Sequence, residues 1–225
     1  MPSSAPWSHV KFFAQLPEGL RAEVTQRLQN VRSPKGRTLL EKGSNSRDVF
    51  FVLEGEVEVV LYSPDGREVF VTAIGPGEMF GELAALDAGP RSATIVAQSD
   101  VVLAIMSPNV FMHCIENSPA AAIWLARNLA SALRQSTKHI FELSALNVRV
   151  RVHIELLRLA KDGKPSVNGI EVQPPPTHSE FANRIGTNRE AVTREMRALS
   201  KMGIVHYNRR CLTIIDIRRL EQLPQ

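Results

Sequence analysis

The chain has 225 residues, 44% of them hydrophobic, with 27 Lys/Arg against 23 Asp/Glu and a formal net charge of +4. That length accommodates two modest domains with separate cores, and no apolar run approaches the ~18 residues that would make a membrane span. Two cysteines, Cys114 and Cys211, are too few for an ordinary iron–sulfur cluster and read as thiols of a reducing cytoplasm in preference to a disulfide.

Residues 1–7 lack a basic-then-apolar pattern, so no secretion signal is expected. Residues 17–29 predict a short helix: Pro17 suits a first turn, and Leu20, Val24 and Leu28 recur every four residues. From Arg37 to Met106 the period drops to two. Glu56-Val57-Glu58-Val59 alternates, Pro64-Asp65-Gly66 marks a turn, and Val69-Phe70-Val71 resumes the strand. Gly43, Gly55, Gly75, Gly77, Gly81 and Gly89 punctuate the region, as short antiparallel strands in a compact barrel or roll require.

Within this region, Gly81-Glu82-Leu83 and Pro90-Arg91-Ser92-Ala93 set a carboxylate and a guanidinium at the two ends of a short loop, with Arg91 expected to be exposed there. A guanidinium beside backbone N–H groups is a site for one phosphate. A carboxylate in the same place repels phosphate unless it accepts from another group, such as a sugar hydroxyl. A molecule with both a phosphate and a free ribose hydroxyl is a nucleotide. The competing reading is a structural ion pair between Glu82 and Arg91 with no ligand.

Pro119 opens a long helix that is predicted to run to about Asn147. Ala126, Leu129, Leu133, Ser136, Ile140, Leu143 and Asn147 step alternately by three and four, a heptad seam of the kind that pairs two helices. Ser136, with Thr137 alongside, interrupts the seam either as a register-setting polar position or as a ligand contact. A second helix carries Val150, Ile154, Leu157 and Ala160 on one face and stops at Gly163. Pro174-Pro175-Pro176 is a rigid spacer.

Thr177-His178-Ser179-Glu180 is a capping box that opens a helix through Ile185. Gly186 makes the turn, a second helix runs from about Arg189 to Met202, and strands over 204–207 and 211–215 flank Asn208-Arg209-Arg210 as a wing. Helix, tight turn, helix and wing form a winged helix-turn-helix. Arg189, Glu190 and Arg194 fall on its accessible face, the side-chain set that reads base edges in a major groove. Thr187-x-x-Glu190 is also a capping box, so Glu190 has a rival role in closing the helix end. The charge is distributed accordingly: residues 1–147 carry 13 Lys/Arg against 15 Asp/Glu, and residues 148–225 carry 14 against 8. The six histidines do not cluster at metal-ligand spacing, and no Ser-His-Asp set, paired-carboxylate cleft or P-loop is apparent, so neither a metal site nor an enzyme is expected.

These motifs resemble the cyclic-AMP receptor protein and fumarate–nitrate regulator superfamily of bacterial transcription regulators, on its cyclic-nucleotide-binding branch. The likeness covers nearly the whole length. It rests on Gly77-Glu78-Met79-Phe80-Gly81-Glu82-Leu83 through Arg91-Ser92-Ala93 and on the winged helix. It implies an α+β fold: an N-terminal antiparallel β-roll (a double-stranded β-helix, jelly-roll-like) with flanking helices over 1–118, a dimerisation helix over 119–147, and a winged helix-turn-helix DNA-binding domain over 148–225.

The resemblance further implies a 3′,5′-cyclic nucleotide ligand, cyclic AMP ahead of cyclic GMP, and no cofactor. Arg91 would hold the cyclic phosphate and Glu82 the ribose 2′-hydroxyl, helped by backbone amides near Gly81, Leu83, Ser92 and Ala93. Ser136 and Thr137 would meet the base across a homodimer. Their order reverses the family's Thr-Ser, which leaves adenine or guanine open. Arg189, Glu190 and Arg194 would read a GTGA-like half-site of a palindromic double-stranded DNA operator, with Thr177 and His178 on backbone phosphates and Asn188 replacing the family's N-cap serine. A cytoplasmic protein with RNA polymerase as a partner and no membrane association is implied. Two other readings stand beside it: a same-fold regulator with another effector or constitutive DNA binding, and a cyclic-nucleotide-binding module whose winged helix contacts a protein.

Overall fold

The computed structural model describes Trp7, residues 9–64, Gly66 and residues 68–223, so the stretch 1–6 and Asp65 of the expected turn lie outside the described residues. The chain divides into two compact units between Leu133 and Arg134, inside one long helix.

The first unit starts with a 3-10 turn, Phe13–Gln15, and helix α1, Glu18–Thr25. Eight strands follow: β1 Gln29–Ser33, β2 Thr38–Leu40, β3 Val49–Glu54, β4 Val57–Tyr62, β5 Glu68–Ile74, β6 Met79–Phe80, β7 Thr94–Ala97 and β8 Val101–Met106. A short helix α2, Glu82–Asp87, lies between β6 and β7, and α3, Pro108–Asn117, follows β8. The strands make two antiparallel sheets, in the orders β1-β8-β3-β6 and β2-β7-β4-β5. This is the antiparallel roll expected over the period-two region.

The alternation explains the two cores. Along β3, Val49, Phe51 and Leu53 point to one face, where Phe12, Phe13, Phe111, Met106 and the apolar side of α1 and α3 cover them. Val52 points the other way and meets Val57, Ile95, Ala97 and Leu40 of the second sheet. A strand buried on both faces reads as a continuous apolar run, which is what Val49-Phe50-Phe51-Val52-Leu53 is.

Helix α4, Pro119–Ala145, carries Ala121 and Leu125 into the first core. Along the expected seam Leu133 and Ile140 are more than 60% exposed, and Ser136 and Thr137 are exposed as well. The second unit continues with α5, Val148–Asp162; β9, Lys164–Ser166; β10, Gly169–Val172; α6, His178–Arg184; α7, Arg189–Lys201; β11, Val205–Tyr207; β12, Leu212–Ile214; and α8, Ile217–Gln222. Its sheet has the order β11-β12-β10-β9. Its core joins Val152 and Leu156 of α5 to Phe181 of α6, Val192, Met196 and Leu199 of α7, and Leu212 and Ile214 of β12.

Several expectations are corrected. The first helix stops at Thr25, because Gln29 pairs with Ile105 and draws the chain into β1; Leu28 still packs on the same core from outside the helix. The long helix ends at Ala145, and Asn147 is not its last seam position. Its side chain accepts from Val150 N–H at 3.1 Å and caps α5. The buried stripe of α5 is Val152, Leu156 and Ala160, chosen by contact with α7 and α8 from a helix apolar on more than one side. Gly163 ends α5 with an ordinary φ of −73°; glycine is needed there because a Cβ would lie 2.5 Å from Ile170 Cγ2. The wing strands belong to a four-stranded sheet completed by the β9–β10 hairpin, which the sequence pattern did not announce. Both cysteines are free, and burial pushes the Cys114 thiol up to about 11. No helix among the described residues is long and apolar enough to cross a membrane.

Candidate functional site

The first cluster forms where β6 gives way to α2. Gly81 turns the chain at φ +85°, and a Cβ there would lie 2.6 Å from Arg91 Nη1 and 2.9 Å from the Asp48 carbonyl oxygen. Glycine is required both for the left-handed backbone and for the close approach of the guanidinium.

Arg91 is 3% exposed, a correction to its expected place on an exposed loop. Its Nη1 donates to the Gly81 carbonyl at 2.8 Å, Nη2 to the Asp48 carbonyl at 2.7 Å, and Nε to Ser46 Oγ at 3.0 Å. The guanidinium lies 5.9 Å from the Phe50 ring centroid, and Phe50 stacks on Phe80 at 5.0 Å. Its backbone is tied too, donating to Ser44 O at 2.9 Å and accepting from Gly43 N at 2.8 Å. The guanidinium carries five N–H groups. Three are used, which leaves two for an anion. Burial lowers the Arg91 pKa, opposed by Asp48 and Glu82, and the group remains a cation because arginine does not deprotonate in proteins.

Glu82 is the first residue of α2 and makes no ion pair with Arg91 at 4.0 Å or closer. The structural ion pair is therefore not what this fold builds. Burial raises the Glu82 pKa, while its own backbone N–H and Arg91 pull it down. A carboxylate so desolvated is a strong acceptor for a hydroxyl donor. Leu83 is exposed, as is Ser92, and Ala93 is partly buried on the way into β7. Gly81 and Arg91 are thus in direct contact, with Glu82 and Leu83 following the one along the chain and Ser92 and Ala93 following the other. Ser136 and Thr137 lie on the part of α4 that belongs to the second unit. Ser46, Asp48 and Phe50, which hold Arg91, were missed in the sequence; only the turn glycine Gly43 hinted at an ordered loop there.

The second cluster is α7. Asn188 is its N-cap, accepting from Ala191 N–H at 2.9 Å, so Glu190 is released from the rival capping role. Val192, Met196 and Leu199 face inward, and Arg189, Glu190 and Arg194 are exposed. These three line an open concave face with Thr193, Arg197 and Lys201. Arg197 and Lys201 were missed in the sequence, although the spacing 190, 194, 197 and 201 is that of one helix face. On the inner side, Glu195 accepts from Arg149 Nε at 3.1 Å and pairs with His153 Nε2 at 2.8 Å, fastening α7 to α5. Arg151 Nη1 donates to the Ile185 carbonyl at 2.7 Å and fixes the end of α6 before the Gly186 turn.

Thr177 closes the expected capping box: its Oγ1 accepts from Glu180 N–H at 3.2 Å, and Glu180 Oε2 accepts from Thr177 N–H at 2.6 Å. His178, expected to reach a backbone phosphate, instead turns its ring into the domain. Its Nδ1 lies 2.8 Å from Thr193 Oγ1, and its ring centroid is 4.6 Å from that of Tyr207.

A roll holding a buried cation with two free donors, joined to a winged helix-turn-helix with an exposed Arg-Glu-Arg face, defines a ligand-binding transcription regulator. Residues 30–118 match the cyclic nucleotide-binding domain and residues 150–223 the Crp-like helix-turn-helix domain. The chain is 30% identical over 200 residues to the CRP-like cAMP-activated global transcriptional regulator of Mycobacterium tuberculosis, covering 88% of this chain and 89% of that one. It is 31% identical over 190 residues to the cyclic AMP receptor protein of Thermus thermophilus, covering 84% and 85%. A CooA variant from Carboxydothermus hydrogenoformans shares the fold, with a TM-score of 0.77 at 23% identity over 89% of each chain. The chain belongs to the CRP family of cyclic-nucleotide-binding, DNA-binding transcription regulators.

Proposed function

We propose that the chain acts in the cytoplasm as a homodimer that binds cyclic AMP, with cyclic GMP as the alternative, and thereby a palindromic operator. The observation that carries this is Arg91: a buried guanidinium, held on three sides, with two N–H groups left over beside a desolvated carboxylate. The two remaining donors suit the cyclic phosphate, and Glu82 accepts from the ribose 2′-hydroxyl. Backbone N–H groups near Gly81, Leu83, Ser92 and Ala93 complete the cradle. Ser136 and Thr137 offer hydroxyls to the base, a role taken from the family resemblance. The nucleotide is a signal and not a substrate.

On DNA, Arg189 and Arg194 donate to guanine O6 and N7, and Glu190 accepts from a cytosine amine. Thr177 meets the phosphate backbone, and His178 contributes there through its main-chain N–H in the first turn of α6. RNA polymerase is the further partner of a regulator so placed. Titration calorimetry with cyclic AMP, cyclic GMP and, as a control, linear AMP tests the ligand reading. Binding of a cyclic nucleotide, with linear AMP much weaker, is expected; absence of binding to both cyclic nucleotides overturns it.

A further inference from the structure

Three elements of the DNA-binding unit converge on one imidazole. His178 opens α6; its Nδ1 lies 2.8 Å from Thr193 Oγ1 on α7; its ring packs at 38° against Tyr207 of β11, whose hydroxyl donates to the Pro176 carbonyl at 3.1 Å. The protonation pattern follows from counting hydrogens. Thr193 has one hydroxyl proton and donates it to the Arg189 carbonyl at 2.8 Å, since a carbonyl can only accept. Its oxygen must therefore accept from His178, and His178 must be the Nδ1–H tautomer. Nε2 is then a bare acceptor. It is buried and has no hydrogen-bond partner among the described residues, so the ring offers no donor to a phosphate.

We propose that His178 is a positioning residue for base reading: through the relay His178 Nδ1–H to Thr193 to the Arg189 carbonyl, it sets the first turn of α7, from which Arg189 and Glu190 project. The inference rests on the DNA reading above. It replaces a phosphate contact through the ring with an internal one. Charge agrees with the geometry. The charged and titratable groups about the ring are Arg189 and Arg197 on α7, Tyr207 on β11, and Glu180 on α6 beside Tyr207. Burial first, and then the two arginines, hold the His178 pKa below its ordinary value, so the ring is neutral at neutral pH.

The relay distinguishes substitutions that are otherwise alike. An asparagine amide falls where Nδ1 was and can donate to Thr193, whereas a glutamine amide reaches toward the Nε2 position. Two measurements on the full chain test the proposal. The first is a two-bond proton–nitrogen spectrum of the His178 imidazole in the free protein at neutral pH. The Nδ1–H pattern is expected; an Nε2–H tautomer or an imidazolium overturns the proposal whatever the variants do.

The second measures affinity, over a salt series, for a duplex that the wild-type chain selects from a random pool and for a random-sequence duplex. His178→Gln and Thr193→Val should each weaken the selected duplex about tenfold, the scale of one lost hydrogen bond, and leave the random duplex and the salt slope unchanged. His178→Asn and Thr193→Ser should retain near wild-type selectivity. Equal loss on both duplexes with a salt slope smaller by about 1 would make the ring a phosphate contact and overturn the relay. A wild-type chain that selects no duplex overturns the DNA reading and the positioning role with it, a failure told apart by an intact Nδ1–H spectrum.

Discussion

Arg91 and Arg189 are the same residue type in opposite settings. Arg91 is 3% exposed and is held by Ser46 and Asp48 from the loop between β2 and β3 and by Gly81 after β6, with Phe50 of β3 alongside. Arg189 is exposed on the first turn of a helix whose start is set by its immediate neighbour, Asn188. The first arginine belongs to the fold as much as to the ligand; the second can change with little consequence for the domain beneath it. An anion site inside a roll is assembled by tertiary structure, while a base-reading surface needs only one helix correctly capped and correctly buried on its other side.

The largest expected effect breaks that contrast at its buried end. On the proposed ligand reading, Arg91→Ala should remove the charge-assisted contacts to the cyclic phosphate, a loss on the order of 2–4 kcal/mol in nucleotide affinity. It also leaves the Gly81 and Asp48 carbonyls without their donors, at about 1–3 kcal/mol of stability. Calorimetry and thermal denaturation should therefore both register the change. A variant that keeps its melting temperature while losing the nucleotide would show that Arg91 serves the ligand alone.

At the exposed end, Arg189→Ala should weaken the selected duplex by about 1–3 kcal/mol and relax preference at one base pair. Its unfolding free energy should stay within about 0.5 kcal/mol of wild type. Denaturant melts beside gel-shift titrations decide the matter, and a destabilisation as large as that of Arg91→Ala would erase the distinction.

The caps sharpen the comparison further. Asn188→Ala removes the side-chain acceptor at the start of α7 and should cost about 1 kcal/mol of stability. Glu190→Ala, in the same first turn but not part of that cap, should leave stability nearly unchanged and alter base preference. If Glu190→Ala proves the more destabilising of the two in urea melts, its role lies in closing the helix and not in reading a base.

The smallest expected effect is one of pH. Burial lowers the pKa values of His139 and His178 from the ordinary 6.5, with Glu142 opposing the shift at His139. Well above 6.5 both are neutral in the folded and unfolded chain, and their contribution to stability is complete. As pH falls from there toward the lowered folded values, the unfolded chain takes up protons that the folded one refuses, so stability declines. Urea melts across that window should show a midpoint falling with acidification and a weaker fall in His178→Asn. A fall as steep in His178→Asn as in wild type would remove His178 from the effect.

What could be read along the chain was whatever depends on a few neighbouring residues. The Thr177–Glu180 capping box, the Gly186 turn, the alternation through β4 and β5 and the glycine-opened loop at Gly81 all follow from backbone geometry and short-range hydrogen bonds. Those signals, with the Glu82 and Arg91 spacing, are what nominate the two candidate sites from the sequence. Their limits appear at the same scale. Residues 17–29 carry a helical period to the end, yet pairing with β8 takes Gln29 for a strand. The residues of α5 offer more than one apolar stripe, and contact with α7 and α8 selects Val152, Leu156 and Ala160.

The sequence by itself therefore determined the order of the elements, the helix starts that side chains cap, and the residue types that can hold a nucleotide or read a base. Tertiary structure alone decided that Arg91 is buried with two donors to spare, that Glu82 stands apart from it, and that the His178 ring faces Thr193 and Tyr207 instead of solvent. The physical reason is range. Capping and turn preferences act over three or four residues, whereas burial, desolvation and the choice of hydrogen-bond partner depend on segments that meet only when the chain has folded, as Ser46 meets Arg91 across 45 positions.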